Sequence, residues 1–227
     1  MTLPDDIQSS LDLAPGLLIA VPTMRDPFFT KSVVLLVEHD EQGAFGVVLN
    51  RKAPVDQETL LDGAGLTQRK TQPSRPVWWG GPVRPESGMV LFRDEPQLDD
   101  YEPSHQVLPG LSCSWSMALL KDIAMGKGPD TYALFLGCAA WDAGQLESEI
   151  EQGAWLPADT DNTLLFTDYT SECWNLALKN IGAHPGTVVP GTPAKKHSFV
   201  CCERASPISA TELRGRWAVR WQQQCHE

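Results

Sequence analysis

Residues 16–50 read GLLIAVPTMRDPFFTKSVVLLVEHDEQGAFGVVLN, and they contain three short apolar runs separated by polar residues. Apolar runs of four to eight residues that are bounded by Pro, Gly or charged residues are typical of buried strands. The polar segment between the second and third runs ends at Gly43, which can take a positive φ at no steric cost. We therefore predict strands over residues 17–21, 33–38 and 44–50 in one sheet, with the last two joined as a hairpin.

The same kinds of pattern continue after this segment. Short apolar runs predict four further strands, at residues 77–81, 88–92, 131–136 and 163–166. Apolar residues at helical spacing predict three helices. The first includes Trp115 and Ile123, the second is capped by Asp142 with Gln145 at the third helical position, and the third spans residues 174–181.

Composition places the chain among single-domain globular proteins. It has 227 residues, of which 42% are hydrophobic and 21% are charged, enough to bury a substantial core. The first dozen residues have no Lys or Arg and are not followed by a long apolar segment, so we expect no secretory signal. The apolar runs are also far shorter than the roughly 20 residues that span a bilayer. We expect a cytoplasmic protein that does not enter a membrane, with its six scattered cysteines reduced.

Charge divides the chain into two parts. Residues 1–184 hold 12 Lys and Arg against 26 Asp and Glu, a net charge of −14, whereas residues 185–227 hold six against three, a net charge of +3. Affinity for nucleic acid comes mainly from Lys and Arg, so the overall charge of −11 predicts no direct nucleic-acid binding. We predict one domain over residues 1–184 and a basic C-terminal extension over residues 185–227 that docks on it.

The extension contains a capping-box pattern at residues 209–212, followed by Leu213, Trp217 and Trp221 at helical spacing. This pattern predicts a basic amphipathic helix over residues 209–224, although a strand that places Trp217, Val219 and Trp221 on one face is the alternative. The extension also carries zinc-type ligands, but their spacing fits no tetrahedral site. We expect no structural metal at His197, Cys201, Cys202, Cys225 and His226.

A glycine pair, Gly80 and Gly81, precedes Pro82 and invites comparison with phosphate-binding loops. The segment lacks the lysine of a Walker A loop and the third glycine of a dinucleotide fingerprint. Pro82 also removes one of the N–H groups that would contact an anion. A tight turn after a strand is therefore the favoured interpretation.

Polar residues in the first segment suggest both chemistry and simple turn formation. His39 lies between Glu38 and Asp40, which could orient its ring as a base. Neighbouring residues on a strand point to opposite sides, however, and Ser32 lacks the Gly-x-Ser-x-Gly setting of a hydrolase nucleophile. Asp26 before a proline and Asn50 at a strand end are typical of residues that cap turns.

Several segments taken together resemble the YqgE/AlgH family of bacterial proteins, over about residues 13–183. They are Gly16-Leu17-Leu18-Ile19-Ala20, Pro22, Met24, Asp26, Phe29, Ser32-Val33-Val34, Glu38-His39, Gly43-Ala44, Gly46, Asn50, Gly80-Gly81-Pro82-Val83, Gly137, Trp141, Gly144-Gln145-Leu146-Glu147, Glu149-Ile150, Trp155-Leu156 and Leu165-Phe166. The chain departs from the family pattern at Cys138, Ala140 and Asp142-Ala143. The resemblance implies a compact α+β fold with a mixed, partly barrel-like sheet flanked by helices. It implies no reaction, because the family has no established catalytic activity; some members are described as transcriptional regulators, and nucleotide binding has been suggested.

These observations favour a non-catalytic regulatory module that binds a protein or a small ligand such as a nucleotide, without a cofactor. The candidate binding residues lie in residues 26–50 and at the glycine pair, among the residues that carry the family resemblance. They are Asp26, Phe29, Ser32, His39, Asn50, Gly80 and Gly81. One alternative is a hydrolase that uses His39 with Asp26 or Ser32, which requires these side chains within hydrogen-bond reach. Another is a transcriptional regulator that acts indirectly.

Overall fold

The computed structural model describes residues 13–67, 74–96, 101–166 and 170–183. Within those ranges the chain forms strands and helices in the following order: β1 Gly16–Ala20, β2 Val33–Asp40, β3 Gly43–Val48, β4 Lys52–Asp56, α1 Gln57–Gly63, β5 Pro76–Trp79, β6 Val83–Arg93, β7 Ser104–Leu108, β8 Leu111–Ser114, α2 Met117–Met125, β9 Tyr132–Asp142, α3 Gln145–Glu151, β10 Trp155–Ala158, α4 Asn162–Leu165 and α5 Thr170–Asn180.

The strands form one curled sheet in the order β10-β1-β2-β3-β9-β6-β8-β7, to which β5 and β4 are attached through β9. Strand β9 is central because its first half pairs with β5 and β6 and its second half pairs with β3. The β5–β9 pair is parallel and the other pairs described are antiparallel. The result is a half-barrel with helices packed against it.

Both faces of β1 and β2 are covered, which explains why their sequences are apolar throughout rather than alternating. Leu17 and Leu35 face a core that includes Trp174 of α5, whereas Leu18 and Leu36 face a second core on the other side of the sheet. A third core lies under α1 and α2. The α+β class with a mixed, partly barrel-like sheet is confirmed.

The predicted strands of the first segment are also confirmed. Strand β1 pairs antiparallel with β2, and β2 pairs with β3 as a hairpin that turns between Asp40 and Gly43. The runs at residues 77–81, 88–92 and 131–136 correspond to β5, β6 and the first half of β9. The last predicted helix corresponds to α5 and is followed by Gly182 at a φ of +71°.

Two local predictions are wrong. The strand expected at residues 163–166 is the short helix α4, capped by Asp161, whose Oδ1 accepts the N–H of Thr163 at 2.8 Å. Asp142 does not cap α3, because Gly144 occupies the N-cap position with a φ of +73°. The chain reverses here through a left-handed glycine, and Gln145 Oε1 instead accepts the N–H of Asp142 at 3.0 Å. Trp141, which directly precedes Asp142, is buried in the core.

The helix expected to include Trp115 begins two residues later, at Met117. Five elements had no strong local pattern and were not predicted: β4, α1, β7, β8 and β10. The predicted extension, including the residues expected to form a helix and those considered as zinc ligands, lies outside the described residues.

Candidate functional site

The turn between β1 and β2 holds three of the seven candidate residues in a network of short hydrogen bonds. Asp26 Oδ1 accepts the N–H groups of Phe28 and Phe29 at 2.8 and 3.1 Å. Ser32 Oγ donates to the carbonyl of Phe29 at 2.8 Å. Asp26 and Ser32 are both buried, and their bonds satisfy backbone groups of the turn. Both side chains therefore shape the turn and are not aimed at each other.

Asn50 fastens the same turn to the end of β3. Its Oδ1 accepts the N–H of Val33 at 3.0 Å, and its Nδ2 donates to the carbonyl of Lys31 at 2.8 Å. The neighbouring Arg51 donates to the carbonyls of Pro27 and Thr30, each at 2.9 Å. Partial burial lowers the pKa of Arg51 and the Asp26 charge opposes that shift. The side chains of Asn50 and Arg51 thus hydrogen-bond the backbone of the turn and stabilise its position beside the end of β3.

Gly80 and Gly81 lie where β5 approaches β9, and the N–H and C=O groups of Gly80 take part in the hydrogen bonds of the sheet. The N–H of Gly80 donates to the carbonyl of Leu136 at 2.7 Å, and its carbonyl accepts the N–H of Val48 at 2.8 Å. Gly81 has a φ of +154°, and a Cβ there would overlap the backbone carbonyl of Cys138. The glycines permit a close approach of two backbones, and this geometry does not support an anion-binding loop.

A narrow cleft, which we call the turn cleft, separates the β1–β2 turn from Pro82 and helix α3. Its volume is about 30 Å³, roughly the share of one water molecule in the liquid. It brings together the candidates Asp26 and Phe29 with side chains from β9, α3 and β10. The lining residues are Met24, Asp26, Phe29, Pro82, Val83, Ala140, Trp141, Gln145, Glu149 and Trp155.

Glu149 of α3 is the polar centre of this cleft. Its Oε2 accepts the indole N–H groups of Trp141 and Trp155 at 3.0 and 2.8 Å, and its Oε1 accepts from Gln145 at 2.9 Å. The Phe29 ring packs against both indoles, with ring centroids 6.3 Å from Trp141 and 5.4 Å from Trp155. One carboxylate therefore joins an aromatic cluster drawn from three separate parts of the chain.

The sequence did not identify Glu149 or Trp155 as site residues. Helix α3 carries three glutamates, at positions 147, 149 and 151, and local pattern alone does not distinguish them. Only the placement of β9 and β10 beside α3 shows that Glu149 is the one that meets two indoles.

His39 lies apart from the other candidates, near the far end of β2. Its Nε2 is 2.9 Å from Oε1 of Glu147, and its side chain is only 6% exposed. The pKa of Glu147 is lowered, first by a hydrogen bond from its own backbone N–H and also by His39. His39 follows Ser32 by seven residues on an extended strand, which separates them by about 20 Å. The hydrogen bonds of His39, Asp26 and Ser32 do not join His39 to either of the other two side chains, as the hydrolase alternative requires.

The outer side of the turn carries an exposed aromatic surface, which we call the aromatic platform: Phe28, Trp79 and Arg51. The Phe28 ring is 37% exposed and stacks on Trp79, with centroids 6.0 Å apart and an interplanar angle of 15°. The Arg51 guanidinium lies 5.4 Å from the Trp79 ring centroid, within cation–π range. Arg51 also bonds the carbonyls of Pro27 and Thr30, so it connects the platform to the backbone of the turn.

A larger groove, the β1/α5 groove, lies between β1, β10, α4 and α5 and has a volume of about 450 Å³. None of the seven candidate residues lines it. Aliphatic side chains form much of its floor, the surface that it exposes is about equally polar and apolar, and its rim carries two carboxylates, Asp159 and Asp161. The other lining residues are Leu13, Pro15, Gly16, Leu17, Ile19, Pro157, Ala158, Leu164, Ala177, Asn180 and Ile181.

The described part of the chain contains no cluster of three or more His, Cys, Asp or Glu side chains placed to hold a metal ion. It also contains no helix with the length and apolar character needed to cross a bilayer. Its three cysteines are free thiols, and burial raises the pKa of Cys113 and Cys138 to about 12 and that of Cys173 to about 11. These thiols are therefore poor nucleophiles at neutral pH.

Comparison with known proteins agrees with the resemblance seen in the sequence. A family model described as AlgH-like matches residues 17–186. A UPF0301 protein of Paracoccus denitrificans is 37% identical over 185 residues, which cover 81% of this chain and 97% of the relative. A UPF0301 protein of Ralstonia nicotianae is 38% identical over 187 residues, covering 82% and 95%.

Two solved structures share the fold. The solution structure of the AlgH protein from Pseudomonas aeruginosa superposes with a TM-score of 0.67 at 33% identity, covering 85% of this chain and all of the other. A crystal structure of a Corynebacterium diphtheriae protein gives a TM-score of 0.60 at 24% identity, covering 74% and 86%. The half-barrel, its glycine contacts and the extent of these matches lead to one conclusion: the chain belongs to the AlgH-like family.

Proposed function

We propose that this protein is a non-catalytic cytoplasmic module that acts in regulation by binding a partner protein through the aromatic platform. The observation that carries the proposal is the exposed Phe28 ring, stacked on Trp79 beside Arg51. Aromatic residues and Arg dominate the binding energy of protein interfaces. Contacts that Phe28, Trp79 and Arg51 already make with one another reduce the entropy that this surface loses when it binds.

The polar side chains of the turn and of the turn cleft are used in structural hydrogen bonds. Asp26, Ser32 and Asn50 bond backbone groups of the turn, and Glu149 accepts three hydrogen bonds from neighbouring side chains. A hydrolytic site would instead place a nucleophile beside its base. His39 and Ser32 do not lie side by side. Binding is therefore favoured over catalysis at the turn and the turn cleft.

The size of the turn cleft favours a protein over a small molecule at this surface. Pockets for small ligands and cofactors have volumes of about 300–1,000 Å³, whereas the turn cleft has about 30 Å³. A nucleotide would have to lie on the platform with most of its surface exposed. A protein partner would cover Phe28 and bury its ring.

The proposed cytoplasmic location is supported by the three free thiols in the described part of the chain, since reduced cysteines are usual in reducing compartments. An indirect role in transcription is consistent with this proposal, because a protein-binding module can regulate without contacting DNA. The net charge of −11 disfavours direct contact with phosphates.

The experiment compares capture of proteins from a lysate of the source cells by the wild type, Phe28→Ala and Met125→Ala, followed by quantitative mass spectrometry. Met125 is the matched control because it is 36% exposed, against 37% for Phe28, and lies on α2, away from the platform. We expect a protein that the wild type and Met125→Ala capture equally and that Phe28→Ala loses.

A parallel thermal-shift screen of nucleotides and metabolites tests the alternative ligand class. A ligand that binds only the folded state raises the melting temperature. A nucleotide that stabilises the wild type but not Phe28→Ala would replace the protein-binding proposal. Equal capture of every protein by Phe28→Ala would also contradict it.

A further inference from the structure

The β1/α5 groove lies where the described chain ends. Asn180 and Ile181 line the groove, and Gly182, with a φ of +71°, terminates α5 immediately afterwards. The N–H of Ala183 then bonds the carbonyl of Leu178 at 2.9 Å, and Ala183 packs against the core. The remaining 44 residues of the chain therefore start beside the groove.

We propose that the C-terminal segment of residues 209–224 docks in the β1/α5 groove of its own chain, with the rings of Trp217 and Trp221 against the groove walls. This inference concerns a different surface from the aromatic platform and does not depend on the proposed function.

The groove fits the apolar side of that segment. Leu17, Ile19, Leu164 and Ala177 form a closely packed aliphatic floor, each no more than 2% exposed, and Ile181 at the edge is 39% exposed. An apolar cavity of about 150 Å³ holds a benzene molecule, so 450 Å³ accommodates bulky aromatic side chains. Burial of each ring from water is the main expected source of affinity.

The charges are complementary as well. The groove rim carries Asp159 and Asp161, and hydrogen bonds from Thr163 lower the pKa of Asp161, which keeps that carboxylate ionised at neutral pH. The docking segment carries Arg214, Arg216 and Arg220. Pairs of this kind at a solvated surface contribute little energy, so they select the orientation in which the segment lies.

The connection is long enough for this return. Residues 184–208 are 25 residues and can span up to about 80 Å when extended, whereas a 16-residue helix is about 24 Å long. The AlgH-like family model ends at residue 186, so the docking segment is an addition to the family fold. It would cover the aliphatic floor of the groove and the Ile181 side chain.

The test is hydrogen–deuterium exchange of the full-length chain, wild type and variants, at two protein concentrations. In the wild type we expect amides of residues 213–221 to exchange on the order of tenfold or more slowly than unstructured amides. The variant Trp217→Ala/Trp221→Ala should remove that protection and raise exchange at the groove strands, residues 16–20 and 155–158. Unchanged exchange at residues 33–48 verifies that the domain stays folded.

A matched pair of groove variants completes the design. Ile181→Lys and Leu176→Lys add the same charge to side chains of nearly equal exposure, 39% and 38%, but only Ile181 lines the groove. Ile181→Lys should remove protection of residues 213–221, and Leu176→Lys should retain it.

Three results would overturn the proposal. One is rapid exchange of residues 213–221 in the wild type. Another is protection of the groove strands that survives Trp217→Ala/Trp221→Ala, which assigns the groove to another occupant such as residues 1–12. The third is protection that disappears on dilution, which assigns the groove to a second copy of the chain.

Discussion

Replacing Glu149 with alanine tests whether one carboxylate holds the turn cleft together. Its Oε2 accepts hydrogen bonds from two indoles, and Trp141 and Trp155 are only 6% and 2% exposed. A buried donor that loses its partner costs about 1–3 kcal/mol. Glu149 is half-buried and the cleft has room for about one water, so part of this loss can be recovered.

We therefore expect Glu149→Ala to lower the free energy of unfolding by about 2–4 kcal/mol. With a urea m value of about 2 kcal/mol/M, the unfolding midpoint should fall by about 1–2 M. Glu149→Gln keeps one acceptor oxygen and should cost about half as much. Glu151→Ala, which removes an exposed carboxylate from the same helix, should change the stability by less than about 0.5 kcal/mol.

Urea unfolding followed by circular dichroism measures all three variants under one set of conditions. Equal midpoints for Glu149→Ala and Glu151→Ala would refute the assignment, because only Glu149→Ala leaves the indole donors of Trp141 and Trp155 without their acceptor. A fall in midpoint for Glu151→Ala alone would show that the helix, and not the cleft, determines the effect.

Four further outcomes follow from the local geometry. Asp142→Ala should change the free energy of unfolding, measured in urea, by less than about 0.5 kcal/mol, because Gly144 and not Asp142 caps α3. A loss of about 1 kcal/mol would instead indicate that Asp142 caps the helix. Gly81→Ala should destabilise by more than about 2 kcal/mol, since its Cβ overlaps the backbone of Cys138, whereas Gly63→Ala on α1 has open space and should be neutral or stabilising by the same measurement. Burial raises the pKa of Cys138 to about 12, so peptide mapping after iodoacetamide at pH 8 should find it unmodified in the folded protein and modified in urea. The folded pKa of Asp161 is lowered by Thr163 and Asn180, so its stabilising contribution is present above the unfolded value near 4 and is lost as the pH falls toward the lower folded value; Asp161→Asn should therefore weaken the acid dependence of the unfolding midpoint.

The elements that could be predicted from sequence are those whose burial requires a run of consecutive apolar residues. Strands β1 and β2 are covered on both faces, so every position is apolar and the pattern is unmistakable. Strand β4 alternates between exposed and half-buried positions over five residues and includes Pro54, so no local run marks it. It pairs with β5 in the sheet, and that pairing is a tertiary contact.

The turn residues also differ in whether their role depends on local sequence or on tertiary contacts. The Asp-Pro pair at residues 26–27 predicted a side chain that caps a turn, and Asp26 does so because its carboxylate reaches N–H groups two and three residues ahead. Asn50 bonds backbone groups seventeen and nineteen residues away, and only the pairing of β2 with β3 brings them within reach. The same predicted role thus depends on local geometry for Asp26 and on sheet register for Asn50.

Hydrophobic patterning was sufficient for the strands of the first segment and for the hairpin, because those features depend on which residues avoid water and on where glycine permits a turn. The family and the α+β class were instead implied by the resemblance that several sequence segments share with one family. The turn cleft, the His39–Glu147 pair and the aromatic platform were decided by tertiary structure. Each joins side chains from segments far apart in the chain, as Glu149 does with the indoles of Trp141 and Trp155 and as Phe28 does with Trp79. Such contacts depend on the curvature of the sheet and on the register of β9, which no short stretch of sequence specifies.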